Sequence, residues 1–185
     1  MKFNKILNSN SQEFRDVWKV YVSSFPSNER RDLANQTELL SNKSYGLSAV
    51  YDKNHLIGFI ATWNFNNCIF IEHFAIQENL RGKGFGTKLL IEYISQRNKK
   101  IILEVEKPNT EMASKRIKFY EKIGFKLNTY DYIQPAYGQE KKSIPMFLMT
   151  LPSKINKSEF LNIRDQLYKT VYGVKSGTKL LQNRF

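Results

Sequence analysis

Apolar residues recur along the chain with two different periods. Phe14, Val17, Trp18 and Tyr21 follow Ser11-Gln12-Glu13 at helical spacing, which predicts a helix from Ser11 to about Phe25-Pro26. A second, shorter helix is expected from Arg30 to Leu40. The pattern then changes. Leu47–Tyr51 and Leu56–Trp63 flank Asp52-Lys53-Asn54 and read as a hairpin, and Cys68–Ile76 is a strongly β-forming run. Phe85, Leu89, Leu90, Tyr93 and Ile94 return to helical spacing. Ile101–Val105 reads as a buried strand. Pro108-Asn109-Thr110 opens a helix that runs to Ile123 and stops at Gly124. Leu127–Ile133 and Ile144–Leu151 predict two more strands. The strand–helix–strand order in the middle implies a parallel pair with a crossover.

Pro152-Ser153 marks a boundary, giving a domain over 1–152 and a C-terminal segment over 153–185. In that segment Phe160, Ile163, Leu167 and Val171 form one apolar helix face, with a polar, basic tail from about Lys175. The face must pack on its own domain or join a second subunit as a homodimer.

Composition narrows the class. The chain has 185 residues, 41% hydrophobic and 25% charged, which is ordinary globular usage. Its single cysteine, Cys68, excludes an internal disulfide framework and reads as a packing residue. No apolar run is long enough to span a membrane, and the N-terminus lacks the apolar core of a signal peptide. The expectation is a cytoplasmic protein without membrane partners. The 29 Lys+Arg against 17 Asp+Glu leave a net charge of +12. Residues 81–100 hold six basic residues and one acid, and residues 153–185 hold seven and two. Such a field attracts polyanions, which keeps a nucleic-acid-binding module open. No recognisable nucleic-acid motif accompanies the charge, so no specific nucleic-acid partner is expected.

The densest chemical signal is Arg81-Gly82-Lys83-Gly84-Phe85-Gly86-Thr87, between a strand and an amphipathic helix. Three alternating glycines allow a sharp turn or a close ligand approach. The helix start offers free N–H groups and the positive end of its dipole, an anion site suited to a pyrophosphate. The spacing fits neither a Walker loop nor the Rossmann fingerprint.

Arg81-x-x-Gly84-x-Gly86 resembles the acetyl-CoA motif of the GNAT (GCN5-related N-acetyltransferase) superfamily. Ile71–Ile76 is similar to that family's fourth strand, and Phe119-Tyr120-Glu121-Lys122-Ile123-Gly124-Phe125 to its fourth-helix motif. The resemblance covers roughly residues 1–152. It implies an α/β fold with a mixed, mostly antiparallel central sheet and helices on both faces, with the C-terminal helix added. It also implies acetyl transfer from acetyl-CoA to a primary amine of a small acceptor, with a CoA-binding sensor without turnover as the alternative. Ala113 stands where many members carry Asn, and Arg116 where a small residue is common.

Site expectations follow from the resemblance and from the chemistry of amine acetylation. Arg81 to Thr87 would bind the pyrophosphate, and the backbone of Phe74, Ala75 and Ile76 the pantetheine arm. Tyr120 is the expected acid at the cofactor sulfur. Glu72, a carboxylate in an apolar strand, is the expected general base, with its pKa raised by burial; the alternative is a structural carboxylate in an ion pair with a nearby Lys or Arg. His73 would face the opposite side of that strand if alternation is regular. Glu29, Glu104 and Glu106 are candidates for holding a cationic acceptor. No cluster has metal-ligand spacing, so no metal is expected.

Overall fold

The computed structural model describes residues 1–174; the basic tail expected from Lys175 lies outside the described residues. The chain forms two compact units that divide after Ile101.

The first unit opens with β1 (Lys2–Lys5), α1 (Gln12–Ser24) and α2 (Leu33–Glu38). It continues with β2 (Tyr45–Asp52), β3 (His55–Asn64), β4 (Cys68–Ile76) and α3 (Phe85–Ser95). Its strands lie in the order β1-β2-β3-β4, each neighbouring pair antiparallel. The β2–β3 hairpin turns through Lys53 and Asn54, with φ of 46° and 66°. Two successive left-handed residues between paired Asp52 and His55 make the turn whose twist matches the flanking strands. Helices cover both faces. Tyr21 of α1 packs edge-on against Phe59 of β3 at 5.7 Å, and Tyr93 of α3 reaches Thr62 on the other face at 3.4 Å. Trp63, Phe59, Phe70, Ile60, Leu89 and Leu90 fill the core.

Two local features differ from the expectations. Lys2–Lys5 adds an edge strand whose polar sequence carries no strand signal. The helix expected over 30–40 shortens to Leu33–Glu38, because the Asp32 side chain caps it by accepting from the Asn35 N–H. Single 3-10 turns at Ser27–Glu29 and Leu39–Ser41 flank it.

The second unit contains most of β5 (Lys100–Glu106), then α4 (Glu111–Ile123), β6 (Lys126–Gln134), β7 (Ile144–Leu151) and α5 (Lys157–Thr170), with strand order β5-β7-β6. Helix α4 starts at Thr110, which accepts from the Ala113 N–H, and ends at Gly124 with φ 109°. Gly124 takes the left-handed C-terminal position that non-glycine residues avoid. Asn156 and Glu159 form a reciprocal capping box on α5. Its apolar face docks within its own unit: Phe160 stacks on Tyr130 at 4.7 Å, and the Tyr168 hydroxyl donates to the Ile133 carbonyl at 2.6 Å.

The fold class expected from the sequence is present: α/β, with antiparallel pairing dominant and helices on both faces of the first unit's strands. Among the described residues, no helix is long and apolar enough to cross a membrane.

Candidate functional site

The 81–87 turn has the backbone of an anion cradle. Gly82 and Gly84 adopt φ of 75° and 80°, and a Cβ built on either meets nothing within 4 Å. Conformation, not crowding, therefore demands glycine at both positions, and the space beside them is open. Gly84 is the N-cap of α3 and supplies no side-chain cap, so the first N–H groups of the helix point outward. Phe85, Gly86 and Thr87 form that first turn. Arg81 braces the loop rather than hanging free. Its Nε donates to the Ile76 carbonyl at 3.1 Å and its guanidinium to Ser24 Oγ at 2.9 Å. Lys83 is exposed in the turn, and Lys88 pairs with Asp52 at 3.4 Å.

The strand leading to this turn is bulged. Ala61 pairs with His73 but Thr62 pairs with Ile71, so Glu72 is the extra residue of β4. The bulge breaks the expected alternation and turns both side chains to the α1 face. The His73 ring packs edge-on against Tyr21 at 4.8 Å and Phe25 at 4.7 Å. The Glu72 carboxylate accepts from the Arg31 guanidinium and, at 2.9 Å, from Trp63 Nε1. Farther along β4, Phe74, Ala75 and Ile76 lie opposite Ile60, Phe59 and Gly58. A Cβ at Gly58 would come within 2.1 Å of the Ala75 carbonyl oxygen, so glycine there permits the close approach of the two backbones.

The electrostatics of Glu72 reverse the expectation. Burial pushes its carboxyl up, but the Arg31 guanidinium, His73 and the hydrogen bonds from Arg31 and Trp63 outweigh that and hold it below the ordinary carboxylate value. Its side chain is fully enclosed. Burial pushes His73 down to about 4, more than the nearby Glu72 charge and the Glu29 carbonyl bond raise it, so the ring is neutral at pH 7. Its Nε2 lies 2.8 Å from the Glu29 carbonyl oxygen and must carry the proton there, because a carbonyl can only accept.

In the second unit, Tyr120 sits on the buried face of α4 between Phe119 and Phe125, at 5.2 Å and 5.7 Å. Burial raises its hydroxyl to about 12 despite the opposing Arg116 charge, so it keeps its proton at neutral pH. Among the described residues the hydroxyl makes no hydrogen bond. Glu104 accepts from the Tyr132 hydroxyl and, at 2.7–2.9 Å, from that of Tyr172. Glu106 pairs with Arg116 at the surface.

Of the residues singled out by sequence, Glu72, His73 and the Glu29 backbone come together in the first unit. Glu104 and Glu106, neighbours on one strand, engage different partners. Sequence reasoning missed Arg31, which is 6% exposed, along with its neighbours Tyr21 and Trp63. It also missed Tyr132 and Tyr172. Arg31 lies in a charged run that reads as solvated; the two aromatics beside it read as core. Cys68 is buried, and burial raises its thiol, consistent with a packing role.

A sequence model of the Acetyltransferase (GNAT) family matches residues 6–125. The chain is 26% identical over 154 residues to the Bacillus subtilis (strain 168) protein named "Putative acetyltransferase YjbC", covering 82% of this chain and 78% of that one. A solved structure described as "Putative acetyltransferase from GNAT family from Bacteroides thetaiotaomicron" aligns at TM-score 0.90 and 35% identity, over 95% of this chain and 100% of the other. An aminoglycoside 6'-N-acetyltransferase complexed with coenzyme A aligns at TM-score 0.54 and 17% identity, over 84% and 100%. At that identity the likeness is one of fold alone.

Proposed function

The chain belongs to the acetyltransferase (GNAT) family, and from that premise we propose that it moves an acetyl group from acetyl-CoA directly to a primary amine of a small acceptor. The observation that carries this reading is the 81–87 turn. Two left-handed glycines open onto free space and lead into a helix start without a side-chain cap, an arrangement suited to a pyrophosphate. Acetyl-CoA, when bound, supplies an activated thioester. The N–H groups of residues 84–87 would hold its phosphates, with Lys83 adding counter-charge. The Phe74–Ile76 backbone would hold the pantetheine arm.

Tyr120 is the proposed acid. Its hydroxyl keeps its proton at neutral pH and can donate to a leaving sulfur. Glu29, Glu104 and Glu106 are the proposed acceptor carboxylates. Glu104 accepts from two phenol hydroxyls, and the rings beside it add a face that attracts a cationic amine.

Calorimetric titration with acetyl-CoA tests the premise. Saturable one-to-one binding is expected, and the absence of any binding would overturn the reading.

A further inference from the structure

Segment 26–32 joins α1 to α2 and carries Glu29, one of the proposed acceptor carboxylates. Its sequence, Pro26-Ser27-Asn28-Glu29-Arg30-Arg31-Asp32, offers no large apolar side chain to bury. Such a stretch ordinarily stays solvated, and its order must come from polar contacts. Three of them reach inward. The Arg31 guanidinium meets Glu72, the Arg31 N–H donates to the Tyr21 hydroxyl at 3.1 Å, and His73 Nε2 donates to the Glu29 carbonyl at 2.8 Å. Two of the three end on adjacent residues of the β4 bulge. The bulge makes this arrangement: without the extra residue, Glu72 and His73 would face opposite sides and only one could reach the segment.

We propose that Glu72 and His73 are positioning residues, which hold the Glu29 segment in place through Arg31 and the Glu29 carbonyl, and that Glu72 does not take the proton from the amine. This rests on the acetyltransferase reading and deepens it. A carboxylate closed in by a guanidinium and an indole cannot reach an acceptor. The next residues along the same strand, Phe74 to Ile76, are those proposed to hold the pantetheine arm. A short run of β4 would then set the distance between the two substrates, the quantity on which an oriented bimolecular reaction depends most steeply.

The test uses the full chain, with 1,4-diaminobutane as the amine probe and amide hydrogen exchange as a readout independent of any acceptor. In Glu72→Gln the side chain still accepts from Arg31, but the guanidinium loses its counter-charge and stability falls, so rates are compared where the variant is fully folded. Its kcat/KM for the probe should stay within about fivefold of wild type and its pH profile should keep its shape. Arg31→Gln should raise the KM for the probe about tenfold or more with little change in kcat or in acetyl-CoA affinity, and should speed exchange over residues 27–32. Arg31→Lys, which keeps the charge, should restore part of both. Should Arg31→Gln fold poorly because Glu72 is left unpaired, the double variant Arg31→Gln/Glu72→Gln carries no unpaired charge and should show the same KM effect. A Glu72→Gln variant that lost the acidic limb of the profile together with the rate would overturn the proposal in favour of a base. So would unchanged KM and unchanged exchange in the Arg31 variants. A wild type that binds acetyl-CoA but acetylates no amine would instead overturn the acetyltransferase reading, while the exchange data would still report whether the pair holds the segment.

Discussion

Arg31 and Glu72, 41 positions apart in sequence, form an ion pair whose side chains are 7% and 0% exposed. A pair so enclosed is weak evidence for net stability, but losing either partner strands a charge at a cost of about 3–5 kcal/mol. What it specifies is where residues 26–32 lie. The neighbouring His73 fixes the same segment while remaining neutral, and that has a measurable consequence in acid.

His73 is held near 4 in the folded chain against an ordinary 6.5, chiefly by burial. Between these values the unfolded chain binds a proton that the folded chain refuses, so stability should fall as pH drops from about 6.5 to 4. The total loss is about 3 kcal/mol. The Arg31 guanidinium and the Glu72 carboxylate are the charges facing the ring. Glu72 is itself held below the ordinary carboxylate value, so its contribution is retained above pH 4.5 and lost only in stronger acid. Urea midpoints at pH 7 and pH 5 check this. His73→Gln, which keeps a donor for the Glu29 carbonyl, should lose less between those pH values than wild type; parallel losses would contradict the assignment.

Tyr120→Phe keeps the ring that packs between Phe119 and Phe125 and removes only the hydroxyl. It should unfold near the wild-type temperature and bind acetyl-CoA with similar affinity. Turnover should fall roughly 10–1000-fold, the scale of one acid or hydrogen-bonding group. Unchanged turnover, with chemistry rate-limiting, would remove the hydroxyl from the reaction.

Gly84→Val forces a β-branched residue to φ near 80°, a conformation that costs non-glycine residues about 1–2 kcal/mol, and places its side chain in the open space of the turn. Acetyl-CoA affinity should weaken at least about tenfold while the circular dichroism spectrum stays native. Full affinity in the folded variant would show that the turn is not the pyrophosphate site.

Truncation after residue 152 removes Phe160, Ile163, Leu167 and Val171, all buried within the second unit. At about 1.5–3 kcal/mol per large apolar side chain, the loss rivals the stability of a typical domain. The shortened chain should aggregate or melt well below the full one, as read by light scattering and thermal denaturation. A soluble, equally stable truncation would show that the docking of α5 is dispensable.

The parts legible in the sequence are those in which local chemistry decides the conformation. Thr110 and Gly124 cap α4 where a cap and a stop residue stand in the sequence. Gly82 and Gly84 make a sharp turn, as the alternating glycines suggest, and do so with positive φ. What escaped is fixed by partners distant in sequence. Lys2–Lys5 is a strand only because β2 lies beside it. The bulge at Glu72 has no glycine to announce it, and regular alternation alone would put His73 on the other side of the strand. Burial alone suggested a raised carboxyl at Glu72, because nothing in Glu29-Arg30-Arg31-Asp32 separates the arginine that turns inward from the one beside it. Tyr172 falls just beyond the last helix and meets Glu104 only after the chain has folded.

Acetyl transfer to an amine can be observed by incubating the protein with acetyl-CoA and a panel of primary amines. The panel should span amino acids, polyamines and aminoglycosides, with mass spectrometry of products alongside thiol release. The expected result is one acetylated amine for each free CoA, with the cationic amines preferred and product formation at subsaturating acetyl-CoA reduced when the 81–87 turn carries Gly84→Val. Acetyl-CoA that is bound by the protein but recovered intact with every amine would contradict it and favour a sensor that binds CoA without turnover.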